Sequence, residues 1–300
     1  MTQFIEKLTE TFPQLEIRRE EPMSAHTTFR IGGPAELFVS PKKVEIAGIL
    51  AYARERNVPV TVIGNGSNLL VGDAGIRGLV VEIGGGMSEI AVQGTTIVAS
   101  AGALLSQVAN AAASAGLGGM EFAAGIPGSL GGAVTMNAGA YGGEMKDILQ
   151  NVKVLTGDGQ ERTLSREELN LGYRHSCIPD NGYVVVEATI QLSPKPTEQI
   201  REEMAQLRQR RLEKQPLEYP SAGSTFKRPE EYFAGKLIMD AGLRGYTVGG
   251  AQVSEKHCGF VINRGDATAA DVKKLMSDVQ KTVYDQFGVM LEPEVRLIGE

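Results

Sequence analysis

The stretch GLGGMEFAAGIPGSLGGAVTMNAGAYGG, Gly116–Gly143, decides how this chain is read. Ten of its 28 residues are glycine, and Glu121 is its only charged side chain. Glycine at that density costs a core helix or strand both packing and backbone entropy. The segment is therefore expected to act through its backbone, in tight turns and in close approach to a ligand. A large bound cofactor is the ligand that such a length of loop suits.

Upstream, the apolar run Val58–Ile63 reads as a strand and runs into Gly64-Asn65-Gly66-Ser67-Asn68. It is preceded by a strand over Ala35–Val39 and a helical pattern after Pro41, with Val44, Ala47, Ile49, Leu50 and Ala51 on one side. The order strand, helix, strand, loop puts the short glycine loop at the carboxyl end of a strand, where open α/β sheets bind ligands. For that loop alone a tight turn is an equal reading. Together, the two glycine loops suggest backbone N–H groups closing on the phosphates of one dinucleotide, with no lysine required. The short loop lacks the third glycine of the dinucleotide fingerprint, Leu69 standing in its place, and no P-loop occurs.

The 300 residues suggest two or three domains, and 42% apolar with 22% charged residues is ordinary for a soluble globular protein. A formal charge of −6 argues against a nucleic-acid binder held by phosphate contacts, although local basic clusters could still take an anionic small ligand. No apolar run approaches the ~20 residues of a membrane span, and the N-terminus lacks a signal-peptide pattern, so a cytoplasmic location is expected. Cys177 and Cys258 are read as reduced thiols. His26, His175 and His257 match no zinc spacing, so no metal is expected.

Further along, short β runs fill Leu79–Ser100, a helix is expected over Leu104–Ala115, and strands return at Val152–Leu155 and Val184–Ile190. Runs of strands with few helices suggest an α+β region. Ser193-Pro194-Lys195-Pro196 reads as a boundary before a charged helix, Thr197–Lys214, whose far end carries Arg208, Arg210, Arg211 and Lys214. That cluster is equally a solvated face suited to the helix dipole. The last helix opens at Thr268, with Asp271 as its capping partner, and sets Val272, Leu275, Met276, Val279, Val283 and Phe287 on one stripe.

Among side chains with chemistry, Ser224 follows Gly223 but lacks a nucleophile elbow or a spaced histidine. It is either a turn residue or a proton donor. Arg174 could fork a substrate carboxylate or make an ordinary ion pair. Glu292 and Glu294, two apart on an extended chain, point to one side, and spacing does not say which turns inward.

In order along the chain come Thr27-Thr28-Phe29-Arg30-Ile31-Gly32-Gly33, the loop at 64–68, Gly125-Ile126-Pro127-Gly128-Ser129, Asn137-Ala138-Gly139-Ala140-Tyr141-Gly142, Tyr173-Arg174, Ala222-Gly223-Ser224, Lys227 and Leu291-Glu292-Pro293-Glu294-Val295-Arg296. This ordered set resembles the UDP-N-acetylenolpyruvoylglucosamine reductase family, in its compact form without the extra substrate loop. The resemblance implies a mixed α/β and α+β chain. A vanillyl-alcohol-oxidase-type (PCMH-type) FAD-binding fold of two subdomains would be followed by a C-terminal α+β substrate-binding domain. The implied division is 1–70 with the return of 289–300, then 71–195, then 196–288, the FAD-binding region spanning about 28–193.

The resemblance further implies non-covalent FAD, NADPH as reductant, a UDP-sugar substrate and a monomer without nucleic-acid or membrane partners. Arg174, Ser224 and Glu294 would be catalytic. Gly64, Asn65, Gly66, Ser67, Asn68, Gly125, Ile126, Pro127, Gly128, Ser129, Gly139 and Arg211 would contact the cofactor, and Lys214, Arg228 and His257 the substrate. The competing functions are an FAD-dependent alcohol or sugar-lactone oxidase of the same fold and a UDP-sugar-binding protein without turnover.

Overall fold

The computed structural model describes residues 2–300, which divide by their contacts into two compact units. The first comprises residues up to Arg19 with Leu37–Asn65 and Gly78–Arg210; the second comprises Glu20–Glu36, Gly66–Arg77 and Arg211–Glu300.

In the first unit the helix Lys43–Glu55 leads into the strand Val60–Ile63, which pairs in parallel with Leu79–Glu82. The buried face of that helix is Ile46, Ile49, Leu50 and Ala53, a spacing of three, four and seven residues from Ile46. This corrects the side read from the sequence. Val44 is 88% exposed, and the apolar stripe is rotated toward Ile46, whose burial with Ile49 and Leu50 stabilises the unit by roughly 1.5–3 kcal/mol per side chain.

The rest of this unit is built on a five-stranded antiparallel sheet in the order Glu161–Ser165, Leu149–Leu155, Val184–Gln191, Thr96–Ser100 and Ile90–Gln93. The alanine-rich helix Leu105–Ser114 buries Leu105, Val108, Ala109 and Ala112 in the same core. The glycine-rich segment is not all turn. Leu130–Met136 is a helix, and there the small residue serves packing, since a Cβ on Gly131 would lie 2.9 Å from the Cβ of Ala101. Around it run short paired strands, Leu117–Gly118 against Ser193–Pro194 and Gly139–Ala140 against Gly143–Glu144.

The second unit holds a four-stranded antiparallel sheet in the order Ser221–Ser224, Phe260–Asn263, Ala251–Val253 and Thr247–Val248. The helix Ala269–Phe287 buries Val272, Leu275, Met276, Val279 and Val283 in its core, while Phe287, read as part of the stripe, is 39% exposed. Its N-terminus is doubly capped. Thr268 and Asp271 exchange side-chain and backbone bonds at 3.0 Å, and the Asp73 carboxylate accepts from the N–H groups of Ala269 and Ala270 at 2.7 and 2.9 Å. The chain end is bound in too, because Arg296–Ile298 pairs in parallel with Leu69–Val71.

Candidate active site

Within the first unit, the loop Gly125–Ser129 is held from both sides. Asn65 donates its Nδ2 to the carbonyl of Pro127 at 2.6 Å, and the Gly128 carbonyl accepts from Leu105 N at 3.0 Å. Gly64 meets the same loop so closely that a Cβ there would collide with Ser129 Oγ. That hydroxyl is buried and has no hydrogen-bond partner, although a buried polar atom is ordinarily satisfied. Gly64, Asn65 and the residues 125–129 are thus brought together around a polar atom that still lacks a partner.

Arg174 sits on a two-residue turn closed by reciprocal backbone bonds between Gly172 and His175, at 3.1 and 3.2 Å. Its φ is +53°, a left-handed conformation that a residue with a side chain adopts only when its surroundings impose it. The imposing groups are visible. Asn137, fully buried and itself left-handed, donates Nδ2 to the Gly172 carbonyl at 2.9 Å and to Glu144 at 2.7 Å, and accepts from Lys146 N at 2.8 Å. Ser176 adds a bond from its hydroxyl to the Thr135 carbonyl at 2.7 Å. Arg174 reaches back with Nη2 to the Gly139 carbonyl at 3.3 Å and lies 5.3 Å over the Tyr173 ring, leaving a half-buried guanidinium on a rigid base. Gly139 itself is in a hairpin so tight that a Cβ would fall 2.7 Å from that of Glu144.

In the second unit, Ser224 ends the strand Ser221–Ser224, whose pairing with Phe260–Asn263 slips between Ser221 and Ser224. Gly223, at φ +77°, makes that bulge, and a bulge re-aims the side chain that follows it. The slip would leave ladder groups unpaired. Thr225, 1% exposed, closes the gap by donating its N–H to Gly259 O at 2.8 Å and accepting Val261 N on Oγ1 at 2.9 Å. Sequence reasoning missed Thr225, as it missed Asn137 as a support and Asp73 as a cap; only the adjacency of Thr225 to Ser224 was a signal.

Glu294 is joined to this strand. Its N–H donates to the Thr225 carbonyl at 2.9 Å, and the neighbouring Pro293 bridges Phe226. Glu292 and Glu294 do not share one environment. Glu292 is exposed and pairs with Lys227 at 3.1 Å, whereas Glu294 is half-buried. The regular strand begins only at Arg296, so the same-side rule for extended chain does not carry through 292–294.

The remaining expected residues of this unit are more scattered. A Cβ on Gly66, whose φ is +61°, would collide with the His26 carbonyl oxygen, and the Gly66 carbonyl accepts from Thr28 N at 3.3 Å. Ser67 and Asn68 follow, half-buried. Lys214 is exposed and Arg211 half-buried in the last turn of the helix Thr197–Lys214, where Lys256 donates to the Leu212 carbonyl at 2.8 Å. Arg228 is exposed, its guanidinium 4.0 Å over the Phe233 ring. His257 Nδ1 accepts from Gly259 N at 3.1 Å, and burial pushes its pKa down, so the ring is a neutral imidazole with its proton on Nε2. Among the described residues no group of three or more His, Cys, Asp or Glu could hold a metal ion, and no helix is long and apolar enough to cross a membrane.

Sequence models of two domain families match the chain. An FAD-binding domain matches residues 35–165, and the C-terminal domain of UDP-N-acetylenolpyruvoylglucosamine reductase matches residues 215–298. A UDP-N-acetylenolpyruvoylglucosamine reductase of Agathobacter rectalis is 60% identical over 99% of this chain and 98% of its own length. One from Lachnoclostridium phytofermentans is 58% identical over 93% and 92%. The crystal structure of UDP-N-acetylenolpyruvylglucosamine reductase from Thermus caldophilus superposes with a TM-score of 0.81 at 36% identity, covering 95% of this chain and 98% of that one.

Proposed function

The chain belongs to the UDP-N-acetylenolpyruvoylglucosamine reductase family, and from that premise we propose how its own residues carry the reaction. It is an FAD-binding oxidoreductase of the vanillyl-alcohol-oxidase type, reducing the enolpyruvyl ether of UDP-N-acetylglucosamine, a peptidoglycan precursor, to UDP-N-acetylmuramate. When bound, FAD supplies the hydride, from N5 of its reduced ring, that goes to the methylene carbon of the ether.

The residues present fit that cofactor. The partnerless Ser129 hydroxyl, the glycine cradle at Gly64 and the backbone of 125–129 make a donor set suited to a pyrophosphate. Main-chain groups of Gly66, Ser67 and Asn68, together with Gly139 and Arg211, complete the proposed contacts. No covalent tether is needed, since none of the three histidines lies in a glycine loop. NADPH is the proposed reductant, the cytoplasm the proposed location, and the monomer the proposed state. The proposed division keeps 1–70 with 289–300, 71–195 and 196–288 as the working parts.

An enol ether is electron-rich and a poor hydride acceptor, so the site has to draw electrons through the adjoining carboxylate. Arg174 is suited to this by a two-pronged hydrogen bond, which strengthens as carbanion character develops. Glu294 assists in polarising the same group, and Ser224 gives its hydroxyl proton to the carbon alpha to the carboxylate. Lys214, Arg228 and neutral His257 would meet the diphosphate and sugar. The observation that carries this assignment is the bond from Glu294 N–H to the Thr225 carbonyl, which couples a carboxylate to the residue next to the proton donor across 70 residues of chain.

The test is spectroscopic and kinetic. Purified protein should absorb near ~450 nm and oxidise NADPH only when enolpyruvyl-UDP-N-acetylglucosamine is supplied. Flavin that stays attached after denaturation, or NADPH consumption indifferent to that substrate, would turn the assignment toward an oxidase.

A further inference from the structure

We infer that Asn68 is a positioning residue: its carboxamide fixes the backbone from which the Glu294 carboxylate is presented. Asn68 Nδ2 donates to the Glu294 carbonyl at 3.0 Å, and the Asn68 carbonyl accepts from Arg296 N at 2.9 Å. The side-chain orientation is settled by chemistry, because only the amide nitrogen can donate to a carbonyl. The parallel pairing of Leu69–Val71 with Arg296–Ile298 stops short of residue 294. Asn68 extends it by one hydrogen bond beyond the reach of the main chain.

The consequence concerns Glu294 as a whole. Its N–H is taken by the Thr225 carbonyl and its C=O by Asn68, so both polar backbone groups of this residue are bound although it lies in no regular strand. Buried Leu291 and Val295 flank the segment on either side. Such a backbone leaves only side-chain torsions to vary, the condition under which a reacting group keeps its aim. The resemblance implied Asn68 at the cofactor; its side chain donates to the Glu294 carbonyl, and a loop N–H toward phosphate is compatible with that.

The inference rests on the role of Glu294 proposed above, and the experiment separates the two. In the FAD-loaded enzyme, Asn68→Ala should keep its flavin, its melting temperature within a few degrees, and the rate at which NADPH reduces the flavin. Reoxidation of the reduced flavin by enolpyruvyl-UDP-N-acetylglucosamine should slow by about 10- to 100-fold, the range expected when a catalytic group is displaced by up to about 1 Å. Asn68→Asp, which keeps the volume but replaces the donor with an acceptor, should slow the same step.

The decisive measurement is the pair with Glu294→Ala. If Asn68 acts through Glu294, adding Asn68→Ala to Glu294→Ala should slow reoxidation no further. Additive losses, or loss of flavin or of folded protein in both Asn68 variants, would overturn the inference. If Glu294→Ala alone leaves reoxidation intact, the role of Glu294 falls. If Glu294→Ala is slow and Asn68→Ala is not, only the positioning role falls.

Discussion

Arg174 and the pair Ser224 and Glu294 are held by opposite means. The Arg174 turn is local, closed within four residues, bent into a left-handed φ of +53°, and propped by the side chain of Asn137. The Ser224 and Glu294 segments come from distant parts of the chain and are joined mainly through main-chain groups, with Thr225 filling the bulge and its carbonyl receiving Glu294. Strain needs a buried prop and is sensitive to its loss. A backbone joint tolerates side-chain change and leaves the reactive groups to be tested one at a time.

The largest effect should come from the joint. Ser224→Ala is expected to lower turnover by about 10²- to 10⁴-fold while NADPH still reduces the flavin, because only a proton transfer is removed and the main-chain bonds remain. Stopped-flow measurement of the two half-reactions checks this. Near-parent turnover would take Ser224 out of the chemistry.

Next in size is the contrast between the two acids. Glu294→Gln should slow oxidation of reduced flavin by substrate by about 10²-fold, whereas Glu292→Gln, exposed and paired with Lys227 at the surface, should change it less than about twofold. Equal effects at both positions would dissolve the distinction drawn from their environments.

The strained region is probed through its prop. Asn137→Ala removes three hydrogen bonds from a fully buried site and should cost about 2–3 kcal/mol in urea unfolding, with KM for the UDP-sugar rising as Arg174 loses its base. An unchanged KM together with lost stability would show that the turn keeps its shape without Asn137.

The smallest effect concerns His257. Burial lowers its folded-state pKa below the ordinary 6.5, so below that value the unfolded chain binds more protons than the folded one. The contribution of this residue to stability is therefore full above pH 6.5 and is lost as the pH falls through the lowered folded value. His257→Gln should flatten that part of the stability profile, and an NMR titration showing His257 protonating at or above 6.5 would contradict it.

Glycine clusters, the apolar run at 58–63, the Thr268 and Asp271 cap and the order of short motifs were all legible, because they depend on backbone permissiveness, periodicity and local capping. They sufficed for the mixed α/β fold with an FAD-binding region and for the family, both borne out by the domain matches and the relatives. Less was legible where a helix had to choose a face. Lys43–Glu55 offers apolar residues on more than one side, and only the core it meets selects Ile46 over Val44.

What the sequence determined by itself is which residue types occur and in what order: two loops that can cradle phosphate, a serine after a glycine, two acids two apart. What only tertiary structure decided is which of them share a surrounding. Segments 20–36 and 66–77 join 211–300 in one unit, Glu294 is tied to Thr225 and Asn68, and Glu292 is left to Lys227. The physical reason is that the Glu294–Thr225 joint is made by main-chain donors and acceptors, which every residue but proline carries alike, and that the Asn68 and Lys227 side chains find their partners only across 226 and 65 residues of folded chain. A letter code cannot say which carbonyl a given N–H will find until the fold has brought them within about 3 Å.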